Sequence, residues 1–175
     1  TGVSGNFVVK PASFVLNVPN NSASQTQTAS ACLTNAVFKK AGNNFIVNVQ
    51  ARNALGNVTP NYGNENSPQG IILTSGAIYG PTNARNGSTN AGTIGNSSTF
   101  TKIISGGVPS GSSWSLPYFQ GTTFSFDEVG CINLTASVLG GNYLGAANGT
   151  VTGSLVVGRF IPDHFNVSGN TPQFK

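Results

Sequence analysis

Phe45-Ile46-Val47-Asn48-Val49-Gln50-Ala51 decides the fold class. Phe45, Val47, Val49 and Ala51 alternate with Ile46, Asn48 and Gln50. A period of two sends one row of side chains to a core and the other to water, so this reads as a half-buried strand. The pattern returns over residues 131–139, where Ile132, Leu134, Ala136 and Val138 alternate with Asn133, Thr135 and Ser137. Shorter apolar runs at 7–10, 14–18, 70–74, 99–105, 122–126 and 151–157 read as further strands. Pro11 separates the first two, because proline cannot donate to a ladder. Strands 122–126 and 131–139 read as a pair joined by the corner Asp127-Glu128-Val129-Gly130. Polar, Gly- and Asn-rich stretches at 20–30, 53–68, 80–98 and 106–115 read as loops.

Seven or eight short strands with no helical periodicity predict an all-β fold: an antiparallel, immunoglobulin-like β-sandwich with long Gly/Asn/Ser-rich loops. Trp114 falls far beyond Cys32 and shortly before Cys131. A true immunoglobulin domain has its tryptophan soon after the first cysteine. The reading is one domain over 1–175, with a core of about 6–158 and a junction at 159–175 leading into a following segment of a longer parent.

Composition agrees. Gly, Ser, Thr and Asn supply 81 of the 175 residues, a mix that disfavours helix. Hydrophobic residues reach 38%, enough for a core, while charged residues are only 7%. The net charge of +4 comes from scattered lysines and arginines rather than a basic patch with aromatics. Nucleic-acid binding is therefore not expected. No apolar run is long enough for a helix to span a membrane. A weakly charged β-protein with exposed strand edges is disposed to self-association.

Cys32 and Cys131 are the only cysteines. In a polar chain free of methionine they read as one disulfide of a secreted protein. The bridge would close a loop of roughly 100 residues, worth about 4–5 kcal/mol in the chain-entropy picture.

Candidate site residues follow from side-chain chemistry. Amphipathic rings beside amides suit carbohydrate, which places Trp114, Tyr62, Asn61, Tyr143 and Tyr118 as ligand-binding candidates. Trp114, in a Gly/Ser loop, is the ring expected to be most exposed. Arg159, Asp163 and His164 read as hydrogen-bonding and ion-pairing groups that fix a domain junction. Asp127 and Glu128 read as a hydrogen-bonded strand corner; they are also the carboxylates a calcium ion would use. No metal or other cofactor is expected. The few carboxylates and the absence of a Gly-x-Ser-x-Gly elbow point away from an enzyme.

Five segments together resemble one bacterial family. They are Phe7-Val8-Val9-Lys10-Pro11, Lys40-Ala41-Gly42, Val58-Thr59-Pro60-Asn61-Tyr62-Gly63, Phe126-Asp127-Glu128-Val129-Gly130 and Val157-Gly158-Arg159-Phe160-Ile161-Pro162-Asp163-His164-Phe165. In this order they look like the large domain of MshQ-like proteins, linked to biogenesis of the mannose-sensitive haemagglutinin pilus, a type IV pilus. The last segment is the most specific. The resemblance implies an extracellular location on the bacterial surface or pilus and a non-enzymatic structural and adhesion module. Its expected partners are pilus subunits, other domains of the parent, and host or surface glycans. The alternative is a spacer or assembly module with no ligand of its own.

Overall fold

The computed structural model describes residues 8–23, 25, 29–80, 92–109, 114–146 and 150–166. Among the described residues nine strands run in chain order: β1 Ser13–Asn17, β2 Lys39–Lys40, β3 Phe45–Arg52, β4 Ile71–Tyr79, β5 Ile94–Gly95, β6 Thr101–Ile103, β7 Tyr118–Phe126, β8 Gly130–Val138 and β9 Thr152–Ile161. One short helix, α1 (Ala29–Thr34), and a 3-10 turn at Tyr143–Gly145 complete the elements. One sheet has the order β1-β3-β7-β5, with β6 also on β7; the other has the order β2-β9-β8-β4. All pairs are antiparallel except β2 with β9, which is parallel. The fold is a β-sandwich, as the alternating patterns predict.

The inward rows meet in one core. Phe14, Phe45, Val47, Val49, Phe124 and Phe126 come from the first sheet. Ile71, Leu73, Ile132, Leu134, Val157 and Phe160 come from the second. At its centre Phe160 lies 5.2–5.6 Å, ring to ring, from Phe126, Phe38 and Phe45. Each buried phenyl ring contributes roughly 1.5–3 kcal/mol. The sheets come together at both edges. On one, the Leu73 N–H donates to Ser97 O at 2.7 Å. On the other, Gly153 lies so close to β1 that a Cβ there would collide with the carbonyl oxygen of Phe14.

Several expectations are corrected. Strands 122–126 and 131–139 are not a hairpin. β7 pairs β3, β5 and β6, while β8 pairs β4 and β9, so the corner at 127–130 carries the chain between sheets. Gly130 makes this crossing at φ 107°, where an added Cβ would meet the Gly80 carbonyl. Residues 8–10 form no strand; Val9 is 76% exposed, and Phe7 lies outside the described residues. The polar stretch at 20–30 leads into α1 rather than being all loop. The stretch at 80–98 contains β5, with 81–91 outside the described residues. The core does not stop at 158: β9 continues to Ile161, and Phe160 is buried.

β3 is also covered more fully than a half-buried strand would be. Asn48 and Gln50, on the outward row, are buried. Gln120 Nε2 donates to Asn48 Oδ1 at 2.9 Å, and Asn48 Nδ2 donates to Asn17 Oδ1 at 3.1 Å. Gln50 donates to the Ser115 carbonyl and accepts from Arg52 Nε. The segment carrying Trp114 thus folds over this face.

Gly153→Ala is expected to destabilise the domain by roughly 1–3 kcal/mol, since β1 must shift to admit the methyl group. Urea unfolding followed by Trp114 fluorescence measures it; an unchanged midpoint would mean that β1 is not seated against β9.

Candidate functional site

Strand register defines two poles. Ser13 pairs Arg52, Ile71 pairs Val138, and Ser137 pairs Thr152, which gathers the 53–70 loop and the 139–145 turn at one pole. Gly130 pairs Phe160 at the other, beside the disulfide. Cys32 and Cys131 are bonded, with Cα atoms 5.8 Å apart. The disulfide ties α1 to the first turn of β8 and points to an oxidising compartment outside the cytoplasm. No helix among the described residues is long and apolar enough to cross a membrane.

Three of the five ligand candidates converge at the first pole. Tyr62, Asn61 and Tyr143 line one cleft of about 380 Å³, together with Lys10, Asn53 and Thr59. A turn builds its rim: Tyr62 N–H donates to Thr59 O at 3.2 Å and Asn64 N–H to Asn61 O at 2.9 Å. Tyr62 stacks on Tyr143 at 5.6 Å and meets Phe14 and Phe119 edge-on, both at 5.4 Å. Its hydroxyl donates to Gly70 O at 3.1 Å. Tyr62 is only 2% exposed and Tyr143 7%. Neither ring offers a free face, so a ligand here would meet polar edges: Lys10, Asn53, the exposed Asn61, and the buried hydroxyl of Thr59, which has no partner among the described residues.

Beneath the cleft lies a polar cluster that the sequence reading did not single out. The Tyr143 hydroxyl donates to Glu65 Oε1, while Glu65 Oε2 is buried without a partner among the described residues. Lys102 Nζ donates to Pro60 O at 3.0 Å, to Asn64 Oδ1 at 2.9 Å and to Tyr62 O. It also sits 5.8 Å from the Phe119 ring centroid. One ammonium thus pins the whole turn. Burial pushes the Lys102 pKa down, partly offset by Glu65. Burial pushes the Tyr62 hydroxyl far up, with Glu65 adding to it. Burial, then the Glu65 hydrogen bond, does the same to Tyr143.

Trp114 and Tyr118 lie elsewhere. Trp114 is 7% exposed, not the open ring its loop suggested, and meets Tyr118 edge-on at 5.9 Å. The Tyr118 hydroxyl donates to Gly107 O at 3.2 Å. Both rings are buried and turned to each other.

At the second pole, the junction residues divide. Asp163 meets His164 Nδ1 and Lys40 Nζ, each at 3.0 Å, and these bonds, His164 first, hold its carboxyl below the usual value. All three side chains are largely in solvent, which screens the pairs. Arg159 instead donates from Nη1 to the Leu33 carbonyl. Asp127 Oδ1 accepts from the Thr93 N–H at 2.6 Å, the hydrogen-bonded corner of the simpler reading. Glu128 is also engaged. Among the described residues no three His, Cys, Asp or Glu side chains come together.

Residues 10–107 match the family model described as DUF6701, second domain, and residues 128–175 that of DUF6701, third domain. The chain belongs to the DUF6701 family. No curated protein and no solved structure matches it. The two matched segments share both edges of the second sheet. β4 and β2, from the first segment, pair β8 and β9 from the second. β7, the middle of the first sheet, lies between the segments.

The tyrosine shifts give a pH expectation. A raised folded pKa means that stability is intact below the ordinary value of 10.0 and falls as pH rises above it. In a spectrophotometric titration, Tyr62 and Tyr143 should resist ionisation until the domain unfolds. Tyr143→Phe should leave one. Ionisation of Tyr62 and Tyr143 near the ordinary value of 10.0 in the folded domain would contradict the buried pair.

Proposed function

We propose that this chain is a non-enzymatic structural module of an extracellular bacterial surface protein, of the pilus-associated MshQ-like kind. It contacts pilus subunits or neighbouring domains of its parent through its two ends. One observation carries the reading. β1 starts at the cleft pole and β9 ends at the disulfide pole, so the first and last strands among the described residues open at opposite ends of the sandwich. That arrangement suits modules joined in series. Exposed apolar side chains at both ends support it: Val9 and Leu55 (85% exposed) at the first, Leu33 and Phe165 (83% exposed) at the second. Such residues at domain ends suit contacts with neighbours more than contact with water.

Adhesion is the second reading, favoured by the cleft. Its polar rim of Lys10, Asn53 and Asn61 suits a polyhydroxylated ligand held by hydrogen bonds rather than by ring stacking. A glycan array probed with the oxidised domain, with calcium and with chelator, separates the two. The structural reading predicts no specific binding in either condition. Binding that Asn61→Ala abolishes, with the circular dichroism spectrum unchanged, would overturn it in favour of adhesion. Asn61 is the informative position because it is exposed, whereas truncating Tyr62 would cavitate the core.

A further inference from the structure

Lys102 stands on β6, in register with Phe119 on β7. Its Nζ reaches into the 60–64 turn and donates to Asn64 Oδ1 at 2.9 Å and to Pro60 O at 3.0 Å. Asn64 Nδ2 donates to the same Pro60 O at 3.4 Å, so both ends of the carboxamide are held. Gly63 lets the turn close this tightly. It sits at φ 76°, and a Cβ there would lie 2.7 Å from the Phe119 ring and 3.6 Å from Lys102 Cδ. One amine is thus fixed against one amide of the same chain. The carbon Cγ of that amide is one bond beyond the oxygen the amine touches.

The next residue is an acid. Glu65 Oε1 accepts from the Tyr143 hydroxyl, while Oε2 is buried with no partner among the described residues. A buried carboxylate oxygen without a donor is costly and calls for an explanation. Burial pushes the Lys102 pKa down, and the charge of Glu65 opposes it, so the two groups feel each other. A desolvated lysine yields the neutral amine that attacks carbonyl carbon. Pinning the turn needs hydrogen bonds alone; it needs neither the orphaned oxygen nor the desolvated amine.

We propose that Lys102 and Asn64 condense into an intramolecular isopeptide bond, with Glu65 carrying the proton. The Lys102 ammonium passes one proton to Glu65. The neutral Nζ then attacks Asn64 Cγ, and a C–N bond forms. A proton moves from Nζ to Nδ2, the Cγ–Nδ2 bond breaks, and ammonia leaves with the proton that Glu65 held. Glu65 is a carboxylate again, and nothing is oxidised or reduced. Orientation favours the step, because an amine held against an amide reacts as if at very high concentration. Asn64 is exposed, so the ammonia escapes to water and is not there to reverse the reaction. The product ties the 60–64 turn to β6, a covalent lock at the cleft pole to match the disulfide at the other. This proposal is independent of both readings of function above.

The intact mass of the oxidised protein tests it. The native protein should fall short of its sequence mass by one ammonia, beyond the hydrogens lost to the disulfide. Trypsin should leave Lys102 uncut, with segments 53–85 and 86–159 joined in one species. Lys102→Arg and Asn64→Ala should each restore the full mass. Glu65→Gln should do so too, with an unchanged circular dichroism spectrum, because the amide keeps the shape of the acid but cannot take the proton. A native protein of full mass overturns the proposal, and that measurement needs no variant to fold. So does a deficit that survives Lys102→Arg, which would mark an asparagine closing on its own backbone. A full deficit in Glu65→Gln overturns the role given to Glu65.

Discussion

Phe160 is the point on which the sandwich turns. Its ring meets Phe38, Phe45 and Phe126 at the centre of the core, so residues far apart in the chain are held by one contact group. Apolar rings can be buried only if both sheets are complete, since each sheet supplies one wall. Completing the second sheet requires β4 and β2 from the early chain beside β8 and β9 from the late chain. The two segments matched as successive family domains therefore depend on each other for a core.

The crossing at Asp127-Glu128-Val129-Gly130 makes this interleaving work. It lifts the chain from the first sheet to the second in four residues, and Asp127 anchors the approach to β5 as it passes. The disulfide follows at once and fixes α1 over the start of β8. One pole is thus stitched covalently. The other is pinned by hydrogen bonds, with Lys102 gathering the 60–64 turn and Tyr143 reaching Glu65.

The period-two pattern of Phe45-Ile46-Val47-Asn48-Val49-Gln50-Ala51 made β3 legible, and that of residues 131–139 made β8 legible, because alternation records which side chains face a core. It cannot record what later covers the outer row. Asn48 and Gln50 are polar yet buried, because the 114–120 segment returns over them and supplies their partners. α1 escaped notice because it is only six residues long and rich in Ser, Thr and Ala rather than patterned. Tyr62, Asn61 and Tyr143 were legible as a group by residue type. Their burial was not, since an aromatic ring in a polar loop reads as exposed until the neighbouring rings are placed. Lys102 and Glu65 gave no local sign, since their partners lie far away in the chain.

The sandwich is one cooperative unit built from both family segments. Equilibrium unfolding of the oxidised chain tests this directly. Trp114 fluorescence reports the first sheet, and far-ultraviolet circular dichroism reports all the strands. Coincident transitions are predicted, because neither sheet can bury its face alone. Two separated transitions, with Trp114 released while most of the β-signal persists, would contradict it.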